Sequence, residues 1–521
     1  MTVRQIIRSR TYLLVLAALI IAVTPAGPAA EEEKTPAFSG HIKFEKFHSD
    51  FDVNSDGSYT MVQETVVCVL TDQGVKTANH ASFSYSEGLD EASILWAYTE
   101  KKDGRRVDVP ASNIQDREAV AGGGPMFSDI KSKLIIFPDV AVGDKVGYSF
   151  KFVRKTPLFP GNFSLTRAFT KSVVYDDVRI GVRVPKNSID IKVLAVGVQG
   201  GPVEGGEGVL RWVWSYKNQE IEVPEYGSVD PIDYGPRIVA SSFKDYGVIA
   251  QTYEDRAKPK AAVTDKVRAL ASELTAGVED KREQAKILYN WVTKNIRFAG
   301  NLMGIGSVVP HDVDTILANR LGDCKDHTAL FQALLAAAGI ESTAVMINSG
   351  DTFKLPEVAS SSVLNHIITY IPSLDLYADS SSEYTPFGQL PMLLWGKPAI
   401  HTANFDGIRK TPVFGYQSNQ SKMKMVLDIH EDGSADGETN SEETGVFATL
   451  CRAAMARIQP SMANTCSGSP SLKGRSCPVS SLTSSTPGRV MAMPPLRAST
   501  TLRLRRTTSI SRTPWPIVNI S

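Results

Sequence analysis

The stretch NRLGDCKDHTALFQALLAAAG sets Cys324 between Gly-Asp and Lys-Asp-His, at the start of an apolar run with helical character. Cysteine does its chemistry as thiolate, and a free thiol with a pKa near 8.5 is only about 3% ionised at pH 7. A helix N-terminus presents unpaired N–H groups and a partial positive charge, both of which favour the thiolate. Asp323 stands at the N-cap of that helix and Asp326 three residues on, where acids support the terminus. A cysteine nucleophile also needs a base, usually histidine, and the histidine needs a third group to fix its tautomer. His366 lies in VLNHIITYI, an alternating strand-like run, and Asp379 lies in LDLYADSSS, reached through the short turn PSL. Strands joined by a short turn lie side by side, so the two side chains can meet. The spacing alone is weak: a lone strand histidine is more often structural, and Asp379 could merely open a turn.

His327 follows Cys324 by three residues on the same helix face. Cys324, His327, His366 and Asp379 include zinc-ligand types, but Cys-x-x-His with the other ligands far apart is a weak zinc pattern. The expectation is therefore no metal and no cofactor, with His327 a partly exposed helix residue. Cys68, in YTMVQETVVCVLTD, reads as an inert core thiol rather than as a partner for Cys324.

The elements that must position these residues fall into successive segments. A chain of 521 residues is too long for one core and points to roughly three domains. Residues 40–240 contain short runs rich in β-branched and aromatic residues, separated by Gly, Asp, Asn and Pro, as in a β-sandwich. DVNSDGSYT reads as a hairpin with a type I′ turn at Asp56-Gly57, and GGPVEGGEG as a long glycine-rich turn. Near Ala261 the period changes. VTDKVRALASELTAG and DKREQAKILYNWVTKNIRFAG carry apolar residues at helical spacing, with Asp265 and Asp280 at their starts and Gly277 and Gly300 at their ends. A shorter helix follows Pro310, then the Cys324 helix, ended by Gly339, and then strands in ESTAVMINS, VLNHIITYIPS and LDLYADSSS. Helices followed by strands make residues 261–400 an α+β domain. Residues 420–450 open a further β domain, with Asp432-Gly433 repeating the hairpin logic. From 451 to 521 the chain has no sustained period and much Ser, Thr, Arg and Pro, so this tail reads as disordered or as the product of a reading-frame error that truncated the last domain.

Charge and termini narrow the function classes. Net charge is zero, but ten basic and no acidic residues follow position 450, leaving 46 basic against 56 acidic residues before it. An acidic body carries no footprint for nucleic acid. Residues 1–30 read as a signal peptide: Arg4, Arg8 and Arg10, then TYLLVLAALIIAV, then small residues before EEEK. The apolar run is short of the ~20 residues that span a bilayer. The expected location is the periplasm or another exported compartment. If the signal is not cleaved, that segment would anchor the protein or associate it transiently with a membrane.

RLGDCKDHTALFQALLAAAGI, LNHIITYIPSLDLYADSS and the preceding NIRFAG and VPHDVDTILANRLG resemble the core of bacterial transglutaminase-like proteins, whose superfamily shares a Cys-His-Asp triad with papain-like enzymes. The β-rich first domain resembles the domain of unknown function 3857 that precedes such cores in exported bacterial proteins. The resemblance covers about residues 40–450 and is strongest over 290–385. It implies a multidomain chain: a β-sandwich N-terminal domain, an α+β transglutaminase-like (papain-like) core and a truncated β-rich C-terminal segment. It further implies Cys324 as nucleophile, His366 as general base and Asp379 as its orienting acid. The activity implied is that of a cysteine hydrolase or acyltransferase working on amide bonds of peptides, proteins or cell-wall peptides through a thioester. The alternative is a noncatalytic binding or scaffold module that keeps the fold. A second oxyanion donor is not assignable from sequence; Asn301 and Trp291 lie in the right part of the core, Trp291 more readily as packing.

Overall fold

The computed structural model describes residues 40–118, 126–223, 225–431 and 435–456, with the backbone of 475–476 and 496–504. Residues 1–30, the Asp432-Gly433 turn and most of the tail after 456 lie outside the described residues. Residues 40–383 with 387–413 form one compact unit, and 384–386 with 414 onward form another.

The N-terminal part of the first unit is a mixed β-sheet domain. Tyr59–Val69 buries every second residue, the signature of a strand with one face on a core. It pairs antiparallel with Ile42–Val53 and with Lys145–Arg154. Ile42–Val53 pairs on its other side with Val174–Pro185, in parallel. Val178, Ile180, Val182 and Val184 of that strand are at most 1% exposed. These strands belong to an eight-stranded sheet, and three-stranded sheets pack against it. One core cluster joins Phe51, Phe150 and Val182 of the large sheet to Phe163, Leu165 and Ile238 of the sheet built from Ser164–Ala168, Arg237–Ser241 and Lys192–Val196. The expected sandwich is thus present with mixed rather than purely antiparallel pairing.

Three local readings change. The Asp56-Gly57 hairpin forms, but only Gly57 has positive φ (+86°), whereas a type I′ turn needs two such residues. Gly57 N–H bonds Asn54 O (3.0 Å), giving a type I turn closed by a left-handed glycine. Part of the glycine-rich GGPVEGGEG is a strand, Gln199–Val203, paired with Val209–Asn218. A helix, Asp72–Ala78, capped by the Thr71 hydroxyl, interrupts the strands, a local capping preference that the alternation obscured.

The α+β core is built round the helix Cys324–Ala337. Its Leu330, Phe331, Ala333, Leu334 and Leu335 are fully buried, so it is apolar on more than one face, as a central helix must be. Burying each of the larger side chains contributes about 1.5–3 kcal/mol. They pack with Val267 of helix Asp265–Leu274, Leu288 and Val292 of Lys281–Asn295, and Ile316 of Val313–Asn319. A five-stranded antiparallel sheet covers the helix in the order Leu376–Ala378, His366–Ile371, Thr343–Ile347, Pro398–His401, Arg409–Lys410. Gly277 and Gly339 take positive φ, +73° and +68°, where helices end. Gly300 does not stop a helix: Lys281–Asn295 is already capped by Ile296, and Gly300 starts the strand Gly300–Leu302. A further helix, Tyr246–Ala257, precedes the change of period near Ala261.

In the second unit Ser421–Ile429 and Ala435–Glu443 form the expected hairpin, followed by the helix Gly445–Ala456. The backbone of Leu496–Leu504 pairs along Ala435–Glu443.

Candidate active site

The start of the Cys324 helix is held by reciprocal carboxylate bonds. Asp323 is extended (φ −98°, ψ −166°) and accepts from Lys325 N (3.1 Å) and Asp326 N (3.3 Å), while Asp326 accepts from Asp323 N (3.3 Å). This is a capping box, formed because both carboxylates sit where orphan N–H groups need acceptors. The remaining oxygen of Asp323 takes Asn301 N (3.1 Å) and the Lys325 ammonium, and that ammonium also reaches Asn301 O (3.3 Å). Asp326 accepts His311 N (2.8 Å) and pairs with His311 Nδ1 (3.1 Å). Gly322 is required by close approach, since a Cβ there would lie 2.6 Å from the Asp326 Cβ. Cys324 itself is half-buried, and its N–H has no partner among the described residues.

His366 opens its strand opposite Ile347, and Asp379 directly follows Leu376–Ala378 on the neighbouring strand. Their side chains meet: His366 Nε2 lies 3.0 Å from Asp379 Oδ2. The other Asp379 oxygen accepts from Ser381 N (3.0 Å) and Ser381 Oγ (2.6 Å), and its backbone carbonyl accepts from the Tyr289 hydroxyl (3.0 Å). Burial works against a charged His366, yet the Asp379 carboxylate and then Cys324, by charge and hydrogen bond, hold its pKa well above the usual imidazole range. Burial also opposes ionisation of Asp379, but His366 and the Ser381 donors outweigh it and keep its pKa low. With Nε2 committed to Asp379, Nδ1 is the nitrogen left for the thiol.

His327 differs from its expected exposure. It is 1% exposed, and its Nδ1–H donates to Ser380 O (2.7 Å), beside Asp379. Burial lowers its pKa, so it stays neutral and braces the acid's loop. Among the described residues no group of His, Cys, Asp and Glu is arranged to hold a metal ion. Cys68 is free, hydrogen-bonded to Glu45 (3.1 Å), and burial with the Glu45 carboxylate pushes its pKa up to about 11. Asn301 uses its side chain on Met303 N (3.1 Å) and His311, and Trp291 packs against the core under the Arg320 guanidinium (4.9 Å).

Cys324 and His366 line one cavity of about 430 Å³. Lys325, Tyr253 and Asn365 join them from the core, and Tyr59, Arg154 and Phe163 from the β domain. Tyr253 lies on a helix, Tyr246–Ala257, that no motif or cap pattern in the sequence marks as part of the site. The spacing of Ile249, Ala250, Tyr253 and Ala257 carries the helical signal. Burial, with the nearby Cys324, Asp323 and Asp326, keeps the Tyr253 phenol protonated.

Comparison with known proteins agrees with this architecture. The domain of unknown function 3857 matches residues 55–222, and the transglutaminase-like superfamily core matches residues 268–368, which include Cys324 and His366. A crystal structure from Parabacteroides distasonis, provisionally described as a protease, superposes with a TM-score of 0.61 at 13% identity, covering 89% of this chain and 94% of its own. That likeness is one of fold. A CBM3a-L domain from a Clostridium thermocellum cellulosome scaffoldin (12% identity, 22% of this chain and 69% of that one, TM-score 0.16) carries no structural argument. Neither does an M1 zinc metallopeptidase from Deinococcus radiodurans (12%, 38% and 42%, TM-score 0.22). No curated protein matches the sequence. The chain carries an N-terminal domain like domain of unknown function 3857 and a transglutaminase-core-like domain, consistent with that superfamily.

Proposed function

We propose that this protein is a transglutaminase-like cysteine hydrolase or acyltransferase acting on amide bonds of peptides, proteins or cell-wall peptides. The observation that carries the reading is one cavity that brings Cys324, at a helix N-terminus, together with a His366 already bonded to Asp379. Cys324 Sγ, as thiolate, attacks the amide carbonyl carbon and forms the carbon–sulfur bond. The carbonyl oxygen becomes an oxyanion, for which the Cys324 N–H and the Tyr253 hydroxyl, both at this cavity, are the donors we assign. As the C–N bond breaks, the His366 imidazolium gives its proton to the departing amine, leaving a thioester and neutral His366. Neutral His366 then takes a proton from water, for hydrolysis, or from a second amine, for transfer, as that oxygen or nitrogen bonds the acyl carbon; the C–S bond breaks and Cys324 leaves as thiolate, restoring the thiolate–imidazolium pair.

The N-terminal sequence pattern supports action outside the cytoplasm, and N-terminal sequencing of the mature chain from cell fractions tests this. Among the described residues no helix is long and apolar enough to cross a membrane. The activity is tested by incubating wild type and Cys324→Ala with exported proteins and peptidoglycan peptides. We expect amide cleavage or transfer by the wild type alone. Equal turnover by both would refute Cys324 as the nucleophile, and no turnover by the wild type, with no reaction of Cys324 with a thiol probe, would favour the noncatalytic binding module.

A further inference from the structure

A second cavity, of about 460 Å³, is lined by the β domain and by Ser362 of the α+β core. Its walls are mainly aromatic: Phe47, Phe51, Phe83, Tyr148 and Phe150 contribute, with Phe83 and Phe150 stacked at 3.9 Å between ring centroids. Among its lining residues one charged group stands out, Arg167, with no carboxylate beside it. The Arg167 backbone is fixed in Ser164–Ala168, paired with Ile238. Its Nε is fully buried without a hydrogen-bond partner, and no ion pair to the guanidinium forms among the described residues. Burial correspondingly lowers its pKa. Arg167 is half-buried as a whole, and a partly desolvated cation left unpaired is costly, so such groups are commonly matched by a carboxylate. Arg154, next to this region, shows the matched case: its guanidinium is paired with Asp90. Tyr59, Phe163, Ser164 and Ser362 line both this cavity and the one holding Cys324, so the two share a wall.

We propose that the aromatic cavity binds a carboxylate carried on an apolar or aromatic group, with Arg167 as its counter-ion. Given the reading of Cys324 as nucleophile, on which this part rests, the shared wall makes the ligand the acidic portion of the substrate. A guanidinium fork gives a carboxylate two parallel N–H donors, and the rings take its apolar body.

The test uses full-length Cys324→Ala, titrated calorimetrically with 3-phenylpropanoate and with the neutral 3-phenylpropanamide. We expect saturable binding of the acid and at least about tenfold weaker binding of the amide, the scale of one charged hydrogen-bond pair. Arg167→Met should abolish the difference, Arg167→Lys should retain part of it, and Arg167→Met should not lower Tm without ligand. Equal binding of acid and amide, or no saturable binding of the acid, would overturn the proposal. So would a fall in Tm for Arg167→Met that Arg167→Lys restores, because the guanidinium would then be structural. In the wild type, N-acetylglycylphenylalanine should slow iodoacetamide alkylation of Cys324 by at least about fivefold, a little over 0.9 kcal/mol of occupancy. Acid binding without such protection would refute the substrate assignment alone. Loss of thiol reactivity with binding intact would instead remove the proposed function and leave the cavity assignment standing.

Discussion

Asp379→Asn keeps the shape of the side chain and removes its charge. In the structure the carboxylate lies 3.0 Å from His366 Nε2 and is itself buried, 4% exposed. Two unit charges at that separation interact by about 5–6 kcal/mol at an effective dielectric constant of about 20. At 1.36 kcal/mol per factor of ten, this bounds the loss of thiolate–imidazolium support at roughly 10⁴-fold. The amide oxygen introduced by Asp379→Asn can still accept from His366 Nε2, so the observed loss should be smaller. We therefore expect single-turnover alkylation of Cys324 by iodoacetamide at pH 6 to slow by at least about 100-fold, with the rate recovering as pH rises. The measurement needs no knowledge of the substrate. Superimposable pH–rate profiles for wild type and Asp379→Asn would show that the carboxylate does not support the pair, and the reasoning about His366 would fail.

Other predictions follow from neighbouring features. His366 keeps its proton above the usual range, so its stabilising contribution is complete below about pH 6.5 and disappears as pH rises through the folded value. The Tm advantage of wild type over His366→Gln should thus shrink between pH 6 and pH 9, and a constant difference would contradict it. Asp379, held low, contributes fully above about pH 3.9 and loses that contribution as pH falls, so wild type should lose its advantage over Asp379→Asn on acidification. At pH 7 a limiting thiol probe should label Cys324 well before Cys68, whose pKa is pushed up to about 11; mass spectrometry of the peptides reads this, and equal labelling would count against it. His327→Leu leaves the Ser380 carbonyl without its donor and should cost about 1–3 kcal/mol by denaturant unfolding.

Much of this was legible because it depends on local pattern. The Asp323–Asp326 box, the turn between the His366 and Asp379 strands and the alternating burial of Tyr59–Val69 follow from spacing alone. What sequence could not supply was contact between distant elements. His327 looked like a partly exposed helix residue because its helix start is polar, and its burial is created by the Ser380 loop arriving fifty-three residues later. His311 and Lys325 take their places through Asp326, Asp323 and Asn301, pairings that no periodicity encodes. The parallel pairing of Ile42–Val53 with Val174–Pro185 brings together strands more than 120 residues apart, which alternation within either strand cannot reveal.

The cavity wall contributed by Tyr59, Arg154 and Phe163 has an evolutionary consequence. Under the proposed function the reacting groups are encoded between positions 324 and 379, whereas much of the cavity wall is encoded between positions 57 and 164. On that reading, substitutions in the early stretch would reshape the cavity while leaving Cys324, His366 and Asp379 themselves in place. Lineages that exchange or remodel the β domain would retain one chemistry and acquire new targets for it.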